Sequence, residues 1–152
     1  GRLPAGYEYR LPTEAQWEYA CRAGTTTRYS CGDALECGDL CGACPVADQY
    51  MWWCGNNTPD GTKRVGQKLP NPWGLHDVHG NVWEWCADLY QCSLPGGSVT
   101  DPTGPSSGWE RVGRGASWGN YVQDCRSAVR IYPSPDDRLS KLGFRAALVA
   151  VP

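Results

Sequence analysis

Cysteine is the residue type in this chain with the most chemistry to offer. There are nine, and Cys31, Cys37, Cys41, Cys44 and Cys54 crowd into one turn-rich stretch. Cys41 and Cys44 form a C-x2-C pair, which is half of a zinc motif, but Cys31 and Cys37 are irregularly spaced for the other half. The crowding predicts two local disulfides, with a zinc site or free thiols as the alternatives. No strand–helix–strand pattern surrounds the C-x2-C, so a thioredoxin-like role is not expected. Cys86 and Cys92 could bridge a strand end to the following loop. The odd count leaves at least one thiol unpaired or paired outside the chain. The two histidines, His76 and His79, lie three apart and have too few partners for a metal or triad site; they read as polar loop residues. Asn56-Asn57-Thr58 matches a glycosylation sequon only weakly, with Pro59 directly after it.

Few regular elements are available to position these groups. Thr13 and Gln16 form a capping box, Glu14 suits the positive first turn, and Gly24 supplies a stop. Trp17, Ala20 and Cys21 share one face at i, i+3, i+4 spacing. A helix is therefore expected over 14–23, with Glu18 and Arg22 as an i, i+4 pair on the other side. The stretch 25–67 is turn-rich, and residues 50–53 read as a short buried strand or aromatic plug. Residues 81–89 alternate and read as a strand, with further strands at 111–118 and 143–151. The loop over 94–109 is rich in Pro, Gly and Ser. Short strands, many turns and one or two helices fit an irregular α+β domain.

Composition sets outer limits. One domain's worth of chain, 152 residues, is 41% hydrophobic and can bury a core. The formal net charge of -2 argues against a phosphate-tracking nucleic-acid binder. No apolar run approaches the ~18 residues of a membrane span. Nine cysteines lean the reading towards an oxidising, extracytoplasmic compartment, periplasmic or secreted.

Five ordered strings carry more. They are YRLPTEAQWEYAC over 9–21, PWGLHDVHGNVWEW over 72–85, RVGRGASW over 111–118, CRSAVR over 125–130 and LGFR over 142–145. Together they resemble the sulfatase-modifying-factor family, whose fold is that of formylglycine-generating enzyme, across nearly the whole chain. The resemblance implies a C-type-lectin-like α+β fold with short strands, few helices and many loops. In that family the first string lies near mid-domain. Residues 1–152 are therefore expected to form a single domain that is the C-terminal portion of a longer one. The absent N-terminal half would otherwise cover an apolar face.

The family's enzymes resemble copper-dependent oxidases that convert a substrate cysteine to formylglycine, with copper held on a cysteine pair. Here Asn120 stands where the first of those cysteines would be and residues 121–124 hold no second, so no copper and no catalytic residue is expected. The resemblance implies a disulfide between Cys21 and Cys125, closing a loop of ~100 residues worth about 4–5 kcal/mol in the chain-entropy model. It also implies a Ca2+ loop, with side-chain oxygens from Asp77 and Glu84 and carbonyls from Gly80 and Val82, the hard oxygen set that Ca2+ favours. Alternatively Glu84 pairs with an arginine and no ion binds. The family's other calcium site is doubtful, because the region around Asp60 is short. The segment 119–141 corresponds to the family's substrate groove. With Ser117 it offers Asn120, Tyr121, Gln123, Asp124, Tyr132, Asp137 and Arg138 as a ligand-binding surface; loop Tyr and Asn make adaptable contacts.

The expected function is a non-catalytic binding or structural module, stiffened by disulfides and Ca2+, presenting 119–141 to a protein or peptide partner or packed on its own missing half. The alternatives are an oxidoreductase of the same family with its reactive groups in that half, and an accessory subunit of a larger assembly.

Overall fold

The structure is a computed structural model that describes residues 3–33, 35, 37 and 40–151. Strand β1 (Tyr7–Arg10) leads into helix α1 (Glu14–Arg22); a six-residue helix α2 (Pro45–Tyr50) follows the cysteine-rich turns. Strands β2 (Trp83–Leu89), β3 (Arg111–Arg114), β4 (Arg130–Ile131) and β5 (Leu142–Phe144) form a sheet in the order β4-β3-β2-β5, with β2 and β5 parallel. Strand β6 (Ala147–Ala150) returns to pair antiparallel with β1 in a separate two-stranded ribbon. A 3-10 turn, Val122–Cys125, links β3 to β4. This is an irregular α+β fold, as expected. Among the described residues no helix is long and apolar enough to cross a membrane.

Helix α1 begins where its signals place it. The Thr13 hydroxyl accepts from the Gln16 N–H, and the Gln16 side chain accepts from the Thr13 N–H, so two orphan donors are satisfied. It ends one residue early, because Ala23 takes the left-handed conformation (φ 49°) and caps onto the Tyr19 carbonyl.

Three expectations are corrected. The strand or plug near 50–53 is preceded by α2, which Pro45 opens at its first turn. The strand at 111–118 stops at Arg114, because Gly115 (φ 93°) and Ala116 (φ 66°) turn the chain. The C-terminal strand divides into β5 and β6, which belong to different sheets.

Two buried clusters form the core. One gathers Met51, Trp53, Trp83, Val122 and Cys125; the other gathers Trp17, Cys21, Val78, Cys86 and Val112. Helix α1 is tied to the sheet by charge as well. Arg114, fully buried, pairs with Glu18, and Arg130 holds both carboxylate oxygens of Glu14. By contrast, β1 is solvent-facing along its length, with Tyr9 64% and Leu148 of β6 44% exposed.

Candidate functional site

Asn120 sits at the centre of a closed polar constellation just after β3. Its Oδ1 accepts from the Ser117 hydroxyl (2.6 Å), the Ser117 N–H (3.1 Å) and the Trp83 indole N–H (3.1 Å). Its backbone carbonyl accepts from the Cys54 N–H (3.0 Å), and its Nδ2 points at Asp124 (3.5 Å). Gly119 leads into it, with the flexible end of Lys141 close by. Ser117 is fully buried, so it supports this constellation from below and is not part of an exposed surface. Trp83 was legible only as one face of a strand; its bond to Asn120 needs the fold.

Among the described residues no free thiol joins this constellation. The nearest thiol, Cys125, is buried with its Sγ against the Tyr121 carbonyl (3.6 Å), and burial pushes its pKa up. A thiol is a nucleophile or soft-metal ligand only as thiolate. The residues present therefore do not fit the copper chemistry of the resemblance.

The cysteines pair differently from two expectations. Cys37–Cys44 and Cys41–Cys54 are disulfides, which gives the two local bridges and leaves Cys31 free. Cys21 and Cys125 are both free, and so are Cys86 and Cys92. The residue that faces Cys21 is Ser127, with Oγ 3.6 Å from Cys21 Sγ. Beside them lies the His79 ring, whose Nδ1 reaches the Cys125 carbonyl (2.8 Å) while Nε2 accepts from the N–H and hydroxyl of Ser30 (3.1 and 2.9 Å). That pattern needs a neutral imidazole, and burial holds His79 near pKa 4. Burial likewise raises Cys21 to about 12. Cysteine and histidine are neighbours here, yet neither is poised for catalysis. Cys86 is buried inside β2 and Cys92 is exposed beyond its end, so the strand carries the two thiols into different environments.

The candidate calcium loop is partly assembled. Asp77, in a left-handed turn (φ 56°), accepts from the Gly66 N–H with Oδ2 (2.7 Å), and its Oδ1 is buried with no donor. Glu84 is engaged: Oε2 accepts from Trp17 Nε1 (2.7 Å) and Arg145 Nε (3.0 Å), and Oε1 from Arg145 Nη2 (2.8 Å). Asp77, Val82 and Glu84 share a cavity of about 420 Å³. Gly80 packs so closely on Trp52 that a Cβ would lie 2.1 Å from its carbonyl oxygen. Among the described residues no three His, Cys, Asp or Glu side chains converge, so a cation here must be held largely by carbonyl oxygens. Arg145 lines the same cavity and already matches the Glu84 charge, the arginine pairing expected as the alternative, and Gly80 is not among the lining residues; the orphaned Asp77 oxygen is what an ion there would satisfy.

The proposed 119–141 surface divides in two. Tyr121 and Gln123 are exposed beside Asn120 and the half-buried Asp124, at the Trp83 end of β2. Tyr132 stacks on Tyr90 with ring centroids 4.8 Å apart, just past the other end of β2, roughly 20 Å away along a seven-residue strand. Asp137 accepts from the Ser134 N–H (3.0 Å) and Arg138 donates to the Pro135 carbonyl (3.0 Å), so both serve a local turn. Only the Asn120–Asp124 portion forms one patch.

The Sulfatase-modifying factor enzyme 1-like domain profile matches residues 2–150. The chain belongs to the sulfatase-modifying-factor family. It is 40% identical over 155 residues to the formylglycine-generating enzyme of Streptomyces coelicolor, covering 91% of this chain and 46% of that protein. It is 37% identical over 142 residues to the serine/threonine-protein kinase pkn1 of Chlamydia caviae, covering 91% of this chain and 21% of that one. Among solved structures, Treponema denticola variable protein 1 superposes with a TM-score of 0.79 at 39% identity, covering 95% of this chain and 48% of that chain. This sulfatase-modifying-factor chain thus spans less than half the length of each of these relatives.

Proposed function

We propose that this sulfatase-modifying-factor domain is a non-catalytic binding or structural module. The observation that carries the proposal is Asn120. Where the resemblance places a copper-holding cysteine, an amide stands instead, and its oxygen is filled by three donors from Ser117 and Trp83. The patch it supports, Tyr121, Gln123 and Asp124, is the surface offered to a protein or peptide partner. The exposed β1–β6 ribbon supports a second contact, with the rest of the domain or with an assembly partner, since Tyr9 and Leu148 are uncovered. An oxidoreductase with its reactive groups on that covering half remains the alternative to be tested.

Two further properties belong to the same reading. Ca2+ would be held by Asp77 and Glu84 side chains and the Gly80 and Val82 carbonyls, and would supply the positive charge that the Asp77 Oδ1 lacks. Two disulfides support an extracytoplasmic, oxidising location.

The test is Cu(I) titration of the protein with its Cys37–Cys44 and Cys41–Cys54 disulfides intact, read by thiolate-to-copper charge-transfer absorption. The proposal expects the spectrum of wild type and of Asn120→Ala to be alike, with no tight stoichiometric site. A tight Cu(I) site lost on Asn120→Ala or Asp124→Ala would overturn it. Partner binding is tested by Tyr121→Ala, which should weaken capture of the partner at least tenfold while leaving the melting temperature unchanged.

A further inference from the structure

A sizeable cavity lies away from Asn120. It opens between α1, the C-terminal end of β2 and the loop over 94–105, and encloses about 700 Å³, a volume typical of small-molecule sites. Its walls are largely apolar, with Tyr19, Leu89, Leu94, Val99, Pro102 and Pro105 among them. Five charged side chains also reach it: Glu14, Glu18, Asp88, Arg22 and Arg130.

Four of these five are matched with each other. Arg130 gives Nε and Nη2 to Glu14 and Nη1 to the Gln91 carbonyl, so its nitrogens are all committed. Arg22 gives Nε and Nη2 to Glu18 and Nη1 to the Thr27 carbonyl. Asp88 is the remainder. It is 4% exposed, and its Oδ2 accepts from the Glu14 N–H at 2.7 Å, but no cation contacts it. An ionised carboxylate buried without a counter-charge is expensive. Burial accordingly pushes the Asp88 carboxyl above its ordinary range; the neighbouring Glu14 charge acts the same way, and the Glu14 N–H and the more distant Arg130 charge offset only part of it.

The loop that closes the cavity is shaped around this carboxylate. Gly104, at φ 75°, passes so near that a Cβ there would lie 3.0 Å from Asp88 Cβ and 3.2 Å from Oδ1. No side chain of the loop supplies the missing positive charge. The cavity thus pairs largely apolar walls with one buried carboxylate that no cationic side chain contacts.

We infer that this cavity binds an aliphatic organic cation, an amine or guanidine carried on a short hydrocarbon stem, with Asp88 as its counter-charge. The stem lies along the leucine, valine and proline wall, and the cationic head donates to Asp88 Oδ1. Two sources share this chemistry: a free alkyl cation, and the lysine or arginine side chain of a peptide. The site is independent of the Asn120 patch, at the opposite end of β2, and either can fail without the other.

The experiment is a titration of the isotope-labelled protein by NMR, with n-butylguanidine, n-butanol and the capped tripeptide acetyl-Gly-Arg-Gly-amide as separate probes. The inference expects saturable shifts at Asp88, Leu89 and Gly104 from a cationic probe, and binding of n-butanol at least tenfold weaker. Saturation by butylguanidine assigns a free cation; saturation by the tripeptide alone assigns a peptide side chain. Asp88→Asn keeps an acceptor for the Glu14 N–H and removes the charge, and should weaken the cationic probe at least tenfold with the fold intact. Butanol binding as tightly as butylguanidine, or shifts confined to other residues, would overturn the inference, and that comparison needs no variant. Unchanged affinity in a folded Asp88→Asn protein would overturn it as well.

Discussion

Ser127→Cys should create a disulfide that the natural chain lacks. Cys21 Sγ and Ser127 Oγ are 3.6 Å apart, both residues are buried, and the sequence separation is 106. Bonding the new sulfur to Cys21 would close a loop for which the chain-entropy model gives about 4–5 kcal/mol. Part of that is offset, since the two atoms must approach well inside their present separation and His79 packs within 4.0 Å of the same sulfur. A net gain of about 3 kcal/mol would raise the melting temperature by roughly 10 °C for a chain of this size. The first assay is thiol titration in non-reducing denaturant: the five free cysteines of the natural chain should fall to four, despite the added one. The second is calorimetry with and without reductant, where the gain should vanish on reduction. Six free thiols in the variant, or a natural chain in which Cys21 and Cys125 are already joined, would refute the reasoning.

Other perturbations follow from the same geometry. His79 is neutral in the fold, with its pKa held at about 4 against an ordinary 6.5, while in the unfolded chain it titrates normally. Its contribution is present above pH 6.5 and lost as pH falls from there towards 4, for a total of about 3 kcal/mol; urea unfolding across that range should show the loss, and His79→Gln should flatten it. Removing Glu14 by Glu14→Ala leaves Arg130 partly buried without its carboxylate and should destabilise by about 3 kcal/mol; a loss below 1 kcal/mol would contradict the packing of α1. Chelation of Ca2+ should lower the melting temperature of the natural protein, and Asp77→Ala should abolish that difference; no change with chelator would remove the calcium proposal. Reducing Cys41–Cys54 should loosen the hydrogen bond from the Cys54 N–H to Asn120, read as faster amide exchange at Cys54.

The legible part of the fold was the part written locally. Helix α1 carries its own caps, and β2 carries its own alternation, so both could be placed from neighbouring residues alone. Helix α2 has six residues and almost no periodicity to show. Its one signal, Pro45, is ambiguous among so many turn residues. The division of β5 from β6 depends on Lys141 and Ala147 finding different partners, which is a tertiary fact. Cys125 shows the limit at residue level. Residues 125 and 127 both point inward, with exposed Arg126 between them, so alternation cannot say which one faces Cys21. The resemblance implied cysteine to cysteine, and the chain path gives serine. In the candidate site, Asn120, Tyr121, Gln123 and Asp124 were named from the sequence as one surface with Tyr132, Asp137 and Arg138, and only the first four lie together. Tyr132 and Arg138 lie close in sequence, yet β4 and the following turn carry them away from Asn120. The Asp88 cavity left no trace at all, because its charge balance depends on which arginine reaches which carboxylate.

Whether this chain can oxidise cysteine decides between a binding module and an enzyme. The most direct measurement is mass spectrometry of a cysteine-containing peptide incubated with copper, oxygen, a thiol reductant and the longest natural form of the protein carrying these residues. The Asn120 constellation predicts an unmodified peptide at every copper level, with a copper-loaded formylglycine-generating enzyme as the positive control. Conversion of the cysteine to the aldehyde would contradict it, and would place the reactive groups on the part of the domain that covers the β1–β6 ribbon.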